Sequence, residues 1–361
     1  MRPTLFISLQ ETLDAVRPVL PRAIVGDEAW ARARAIARHM PDAVSTCYLE
    51  CRLLPGDDRV DFMYSVNLPA GIADVVAGNN PDLDLPAALL EAPEWKRIRT
   101  FLRGWVSGED GLRQFVPITW MEFDIEFGTG EAPDRPIPEV GFCVQPELAA
   151  GFEGVAPSLD SEAFRASTWA ALHLLRGEAP DPGEQACFHR CLEALPDSGD
   201  LVHLGATIQR AVRGIRAVVQ LAPADVTAYL SRIGWEGDPG RVEGALETLC
   251  VPREGLVKID VDICGAVTPR FAVASEFSLD GDAGYARAHL LLNRFVERDL
   301  CAPAKRDALR EWTGSQRHKL PSLGWPVTIN RMLDLKITVH HEAHLEAKSY
   351  LGINPCLRLF G

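Results

Sequence analysis

Val257-Lys258-Ile259-Asp260-Val261-Asp262-Ile263 alternates apolar and charged residues without a break. Successive side chains of a strand point to opposite faces, so this stretch reads as a β-strand with one apolar wall and one charged wall. A return strand is expected after Thr268-Pro269-Arg270, with Ala272, Ala274 and Glu276 on one side. Two helical stretches precede the hairpin, Ala224 to Ile233 and Arg241 to Cys250. Helix followed by amphipathic hairpin is therefore the local design.

That design recurs along the chain. Upstream, a helix from Glu28 to Met40 leads into strands Ser45 to Leu53 and Val60 to Leu68, joined by the turn Pro55-Gly56-Asp57-Asp58. A second helix, Glu94 to Val106, carries Trp95, Ile98, Leu102 and Trp105 at helical spacing, and precedes strands near Phe115 to Phe127 and Val140 to Leu148. A third unit places helices at Ser161 to Arg176 and Glu184 to Leu195 before strands Leu201 to Arg210 and Gly214 to Leu221. The last has helices at Tyr285 to Leu300 and Ala304 to Trp312, then strands Leu335 to Val339 and Ala347 to Ile353. Five hairpins supply about ten antiparallel strands, enough to close a barrel, with the helices left to cover its outside. The expected fold is α+β: a ten-stranded antiparallel barrel of five αββ units, about 28–353, in one domain over 1–361. A string of ordinary open α+β layers gives the same alternation, but a ten-strand open sheet leaves long edges to protect.

Composition narrows the setting. Apolar residues make up 47% of the 361, and no apolar run approaches the roughly 18 needed to span a bilayer. The start, Met1-Arg2-Pro3-Thr4-Leu5-Phe6, has no hydrophobic signal region. Nine scattered Cys, an odd number, fit buried thiols in a reducing cytoplasm better than a disulfide framework. A net charge of −13 argues against nucleic acid and anionic membranes as partners, but leaves room for a local anion site in the interior.

The αββ order, repeated five times, with Lys348-Ser349-Tyr350 on the last strand, resembles the ABBA aromatic prenyltransferases, or PT-barrel family. The chain length is similar to that of the family's bacterial indole enzymes. The resemblance implies a reaction that ionises an allylic diphosphate, such as dimethylallyl diphosphate, beside an electron-rich ring. Such a site needs cations for the diphosphate, aromatic faces for the allyl cation and a base for the ring proton. The charged walls offer Arg52, Arg216, Lys258, Lys336 and Lys348 as cations, with Tyr350 as a phosphate donor or cation shield. Tyr48, Trp120 and Tyr350 would form an aromatic wall. Glu122 stands where the family's indole enzymes carry a substrate-binding acid; the resemblance implies that it accepts the indole N–H and can remove the ring proton, and Asp124, on the same face, is the second candidate catalytic acid. In the fourth hairpin Ala272 and Ala274 replace the family's basic-x-Tyr pair. The acceptor is expected to be an indole or tryptophan, as a small metabolite or as a Trp or Tyr in a peptide. No cofactor is required, with Mg²⁺ an option beside the diphosphate.

Rival readings keep the barrel and change its use: a peptide-modifying enzyme without prenyl transfer, or a non-catalytic binder of an anionic ligand or peptide. Asp260-x-Asp262 is a candidate Mg²⁺ pair, or else a salt-bridged strand face. His340-His341-x-x-His344 falls at a hairpin turn and Cys187-x-His189-x-Cys191 on a helix, where i and i+2 diverge; no metal is assigned to either. Gly-rich phosphate loops, the Gly-x-Ser-x-Gly elbow and His-Glu-x-x-His are absent from the sequence.

Overall fold

The structure is a computed structural model. It describes residues 6–67, 71–83, 85–108, 118–123, 136–144, 162–179, 181–208, 214–249, 255–275, 281–340 and 345–356. Asp124, Glu276, His341 and His344 lie outside these residues.

The five units appear in order. Helices α1 (Leu9–Val16) and α2 (Asp27–Ala37) precede strands β1 (Cys47–Arg52) and β2 (Val60–Asn67). Helices α3 (Ile72–Ala77), α4 (Ala87–Leu90) and α5 (Pro93–Ser107) precede β3 (Ile118–Phe123) and β4 (Glu139–Cys143). The third unit is α6 (Glu162–Arg176), α7 (Pro182–Glu193), β5 (Asp200–Ala206) and β6 (Ile215–Leu221). The fourth is α8 (Val226–Ile233), α9 (Pro239–Leu249), β7 (Val257–Cys264) and β8 (Ala266–Ser275). The last holds α10 (Gly281–Glu297), α11 (Pro303–Arg310), β9 (Gly314–Lys319), β10 (Pro326–Val339) and β11 (Leu345–Cys356).

All pairings are antiparallel, running β11-β1-β2-β3-β4-β5-β6-β7-β8-β10, and β10 pairs back to β11. Ten strands therefore close on themselves, and closure removes the edges that an open sheet would expose. The eleventh strand, β9, was not anticipated. It pairs with the first half of β10, from Pro326↔Lys319 to Arg331↔Gly314, outside the closed ring. Its sequence, Ser315-Gln316-Arg317-His318, has no apolar face to betray a strand.

The main core is the annulus between barrel wall and helices. Outward residues such as Leu49, Phe62, Phe123, Leu204, Val219 and Ile259 are fully buried there or nearly so. Trp95, Ile98, Leu102 and Trp105 of α5 form one inward stripe at helical spacing, as read from the sequence, and Phe101 joins them. Helix α7 starts cleanly because Asp181 and Glu184 make a capping box and Pro182 occupies its first turn.

The fourth hairpin departs from expectation. Its return strand starts at Ala266, immediately after Gly265 turns at φ +71°, so Thr268-Pro269-Arg270 lies inside β8 rather than before it. Val261 pairs with Phe271 and Ile263 with Val267, so β8 spends four residues where β7 spends two. The bulge takes up Pro269, which has no N–H for a ladder, and aims Arg270 at β7.

The eight described cysteines are free thiols. Burial pushes Cys47 up to about 12, which makes it an inert core group. No described helix is long and apolar enough to cross a membrane.

Candidate active site in the barrel lumen

With the apolar faces turned to the helices, the alternate residues face the lumen. Strand register then arranges them in rows. Lys258, Ala274, Lys336, Lys348 and Arg52 stand directly opposite one another on β7, β8, β10, β11 and β1. Four of the five predicted cations thus form one belt across five adjacent strands, with Ala274 between Lys258 and the other three. Two residues along in one direction lie Asp260, Ala272, Thr338 and Glu346. In the other direction lie Asp334, Tyr350, Glu50 and Asp61. A cationic belt is flanked by acidic ones.

The two signs meet diagonally. Lys348 donates to Glu50 at 2.7 Å and lies 3.3 Å from Glu346. Lys336 donates to Asp260 and, at 3.3 Å, to the Tyr350 hydroxyl. Arg52 donates to Asp61 at 2.5 Å. Burial works to raise Glu50, but Lys348, then Arg52 and Lys336, hold its carboxyl well below the ordinary range. Asp260 is likewise lowered against its burial, by Lys336 and then Arg216. Glu346 is brought down to about 2 against its burial by its bond to His340, with Lys348 and Arg52 beside it. Burial, then Glu50 and Glu122, keep the Tyr350 phenol protonated by raising it well above its usual value.

Arg216, the fifth predicted cation, sits on another row. Its guanidinium grips Asp262 bidentately at 2.7 and 3.2 Å, and Arg270 reaches the same carboxylate at 2.9 Å. The two acids of Asp260-x-Asp262 thus pair with different cations, Asp262 with Arg216 and Arg270. Asp260 takes Lys336 as its partner.

The opposite wall carries the aromatic and acidic groups. Glu122 stands across from Met63 on β2 and Glu139 on β4. Trp120 stands across from Gly141, and its indole lies over that glycine: a Cβ there would sit 2.3 Å from the ring. On the belt side, Tyr48 of β1 does the same over Gly352 of β11, where a Cβ would come within 2.9 Å of its ring. Each glycine lets an aromatic ring lie along the barrel wall. Trp120, Glu122, Glu139, His203 and Arg216 line a cavity of about 40 Å³.

The sequence reading missed Arg270 and His203. By sequence Arg270 falls in the expected turn before the return strand, and a bulge cannot be read from alternation. His203 enters the lumen through a bulge in β5, where Leu201 pairs with Val219 but His203 with the next residue, Val218. A lone His on a strand gave no signal.

No family model and no curated protein matches this sequence. Among solved structures the chain is similar to NotF in complex with brevianamide F and DMSPP, with a TM-score of 0.50 and 9% identity, over 97% of this chain and 96% of that one. At that identity the likeness is one of fold. The closed ten-strand barrel ringed by helices is a PT barrel.

Proposed function

We propose that this barrel is an aromatic prenyltransferase that takes an allylic diphosphate in its lumen and transfers the allyl group to an indole. The observation that carries this reading is the belt Lys258, Lys336, Lys348 and Arg52, one register row over five adjacent strands broken only by Ala274 on β8. The belt would take the diphosphate and stabilise the charge that develops as it leaves. Tyr350, between Lys336 and Glu50, would donate to a phosphate oxygen or shield the cation. Trp120 and Tyr48 would give the acceptor ring flat faces, and Glu122 would accept its N–H. The acceptor is a tryptophan, an indole metabolite, or an aromatic residue of a peptide. No cofactor is required, and Mg²⁺ is an option as the chelate of the diphosphate. Support of the same kind comes from NotF, whose complex holds an aromatic small molecule and an allylic diphosphate.

A second reading has its own observation. Lys336, Lys348 and Arg52 already hold carboxylates, and Ala272 and Ala274 leave the fourth hairpin's return strand without a cation at those positions. A lumen so balanced suits a barrel that modifies or binds a peptide without prenyl transfer.

Thermal-shift titration separates the two. Dimethylallyl and geranyl diphosphate are compared with plain pyrophosphate, each with and without Mg²⁺. A ligand at a hundred times its Kd stabilises by about 2.7 kcal/mol. Stabilisation that depends on the prenyl chain supports the transferase; no shift with any of them favours the peptide reading.

A further inference from the structure

His203 has no task in the transferase reading. Its ring meets Trp120 at a centroid distance of 4.6 Å and an interplanar angle of 65°. In strand order β5 stands between β3, which carries Trp120, and β7, which carries Lys258 and Asp260, and His203 shares a register row with Val218 and Asp260. The imidazole therefore lies between the acceptor wall and the cationic belt. During allyl transfer the reacting ring carbon must lie between them too, because C1 of the allyl group starts on the diphosphate and ends on the ring.

We propose that His203 is the base that removes the proton from the alkylated ring carbon. The inference rests on the transferase reading. In the step, the C1–O bond breaks and pyrophosphate leaves with the electron pair. A π pair of the ring forms the new C–C bond to C1. The C–H pair then returns to the ring as the proton passes to the imidazole nitrogen, and the imidazolium releases it to pyrophosphate or water as product leaves. Burial first, then Lys258 and Lys336, hold His203 down to about 3 while Asp260 acts in the opposite sense, so the imidazole starts each turnover neutral with a lone pair free. A dearomatised ring cation is acidic enough to give its proton even to this weakened base. Glu122 keeps the separate task of holding the acceptor N–H.

The test compares wild type with His203→Gln on an indole acceptor carrying hydrogen or deuterium at the reacting carbon. Pyrophosphate affinity and acceptor KM should stay within about twofold, while kcat falls by about 10²–10⁴-fold. A primary isotope effect should emerge in the variant as proton removal becomes rate-limiting, and added imidazole should rescue His203→Ala. Wild-type kcat in His203→Gln overturns the assignment. So does a loss of kcat with weakened acceptor binding and no isotope effect, which marks mere packing against Trp120. If wild type transfers no allyl group to any indole, the transferase reading falls and takes this one with it. That failure appears in the wild type, whereas failure of the base assignment alone appears only in the variants.

Discussion

At residue 141 the absence of a side chain fixes the place of a neighbour. Trp120 lies over Gly141 so closely that a Cβ would stand 2.3 Å from Cε2 of the indole. Gly141→Ala must push the ring into the lumen or bend β4, and overpacking of this kind costs about 1–3 kcal/mol. Urea unfolding should show that loss, and acceptor binding should weaken while pyrophosphate binding holds. Lys305 makes the opposite case, a charge buried for structure alone. Its ammonium donates to the carbonyls of Arg52, Leu54 and Asp57 at 3.0, 3.2 and 2.5 Å, pinning the β1–β2 connection to α11. Asp58 lies 3.6 Å away but is 76% exposed, so the carbonyls and not that ion pair hold the lysine. Lys305→Met strands three carbonyls and should lower unfolding stability by about 3 kcal/mol. The sequence marked this helix but gave no reason to single out its lysine, since its acceptors lie some 250 positions upstream.

Among the elements, the seam between β11 and β1 decides whether the barrel closes. Lys348 and Glu50 bridge it at 2.7 Å, with side chains 9% and 6% exposed. Breaking one partner of a buried pair is costlier than replacing both by apolar groups. Glu50→Leu and Lys348→Met should each destabilise by about 3 kcal/mol, at the low end because Lys348 keeps Glu346 and Glu50 keeps Arg52. The double variant should lose less than the sum, and a double-mutant cycle by denaturant unfolding reads the difference. The strand faces of this seam were legible: Cys47, Leu49 and Cys51 against Tyr48, Glu50 and Arg52 is a period of two that burial enforces. So were the long helices, through stripes such as Trp95 to Trp105. What alternation could not give is register between distant strands. Arg52 opposite Lys348 and Lys336 opposite Ala274 depend on closure and shear, so the belt could be listed by residue but not assembled. Polar β9 and the bulges in β5 and β8 break the period itself, which hid the strand, Arg270 and His203 alike.

For the whole molecule, the balanced lumen sets how the fold meets acid. A net charge of −13 loads the chain with carboxylates, yet Glu50 and Asp260 in the lumen resist protonation because cations face them. Stability rises with pH, and is lost as pH falls, wherever the unfolded chain binds more protons than the folded one. Glu346 titrates near 4.5 when unfolded and about 2 when folded, so its contribution is complete above 4.5 and lost as pH falls toward 2. His203 has the same sign in a higher window. Unfolded it takes a proton near 6.5, whereas folded it waits until about 3, so its penalty grows as pH drops from 6.5 to 3. Thermal unfolding from pH 7 to 3 at constant ionic strength should therefore show Tm declining from near 6.5 and more steeply below 4.5. His203→Gln should flatten the curve between 6.5 and 4.5 and make the fall below 4.5 shallower, leaving there the part that belongs to the carboxylates. A wild-type Tm that stays level down to 4.5 would mean that His203 gains its proton in the folded barrel. An imidazole already protonated there could not take a proton from an acceptor ring, so the same titration bears on the stability of the barrel and on its chemistry.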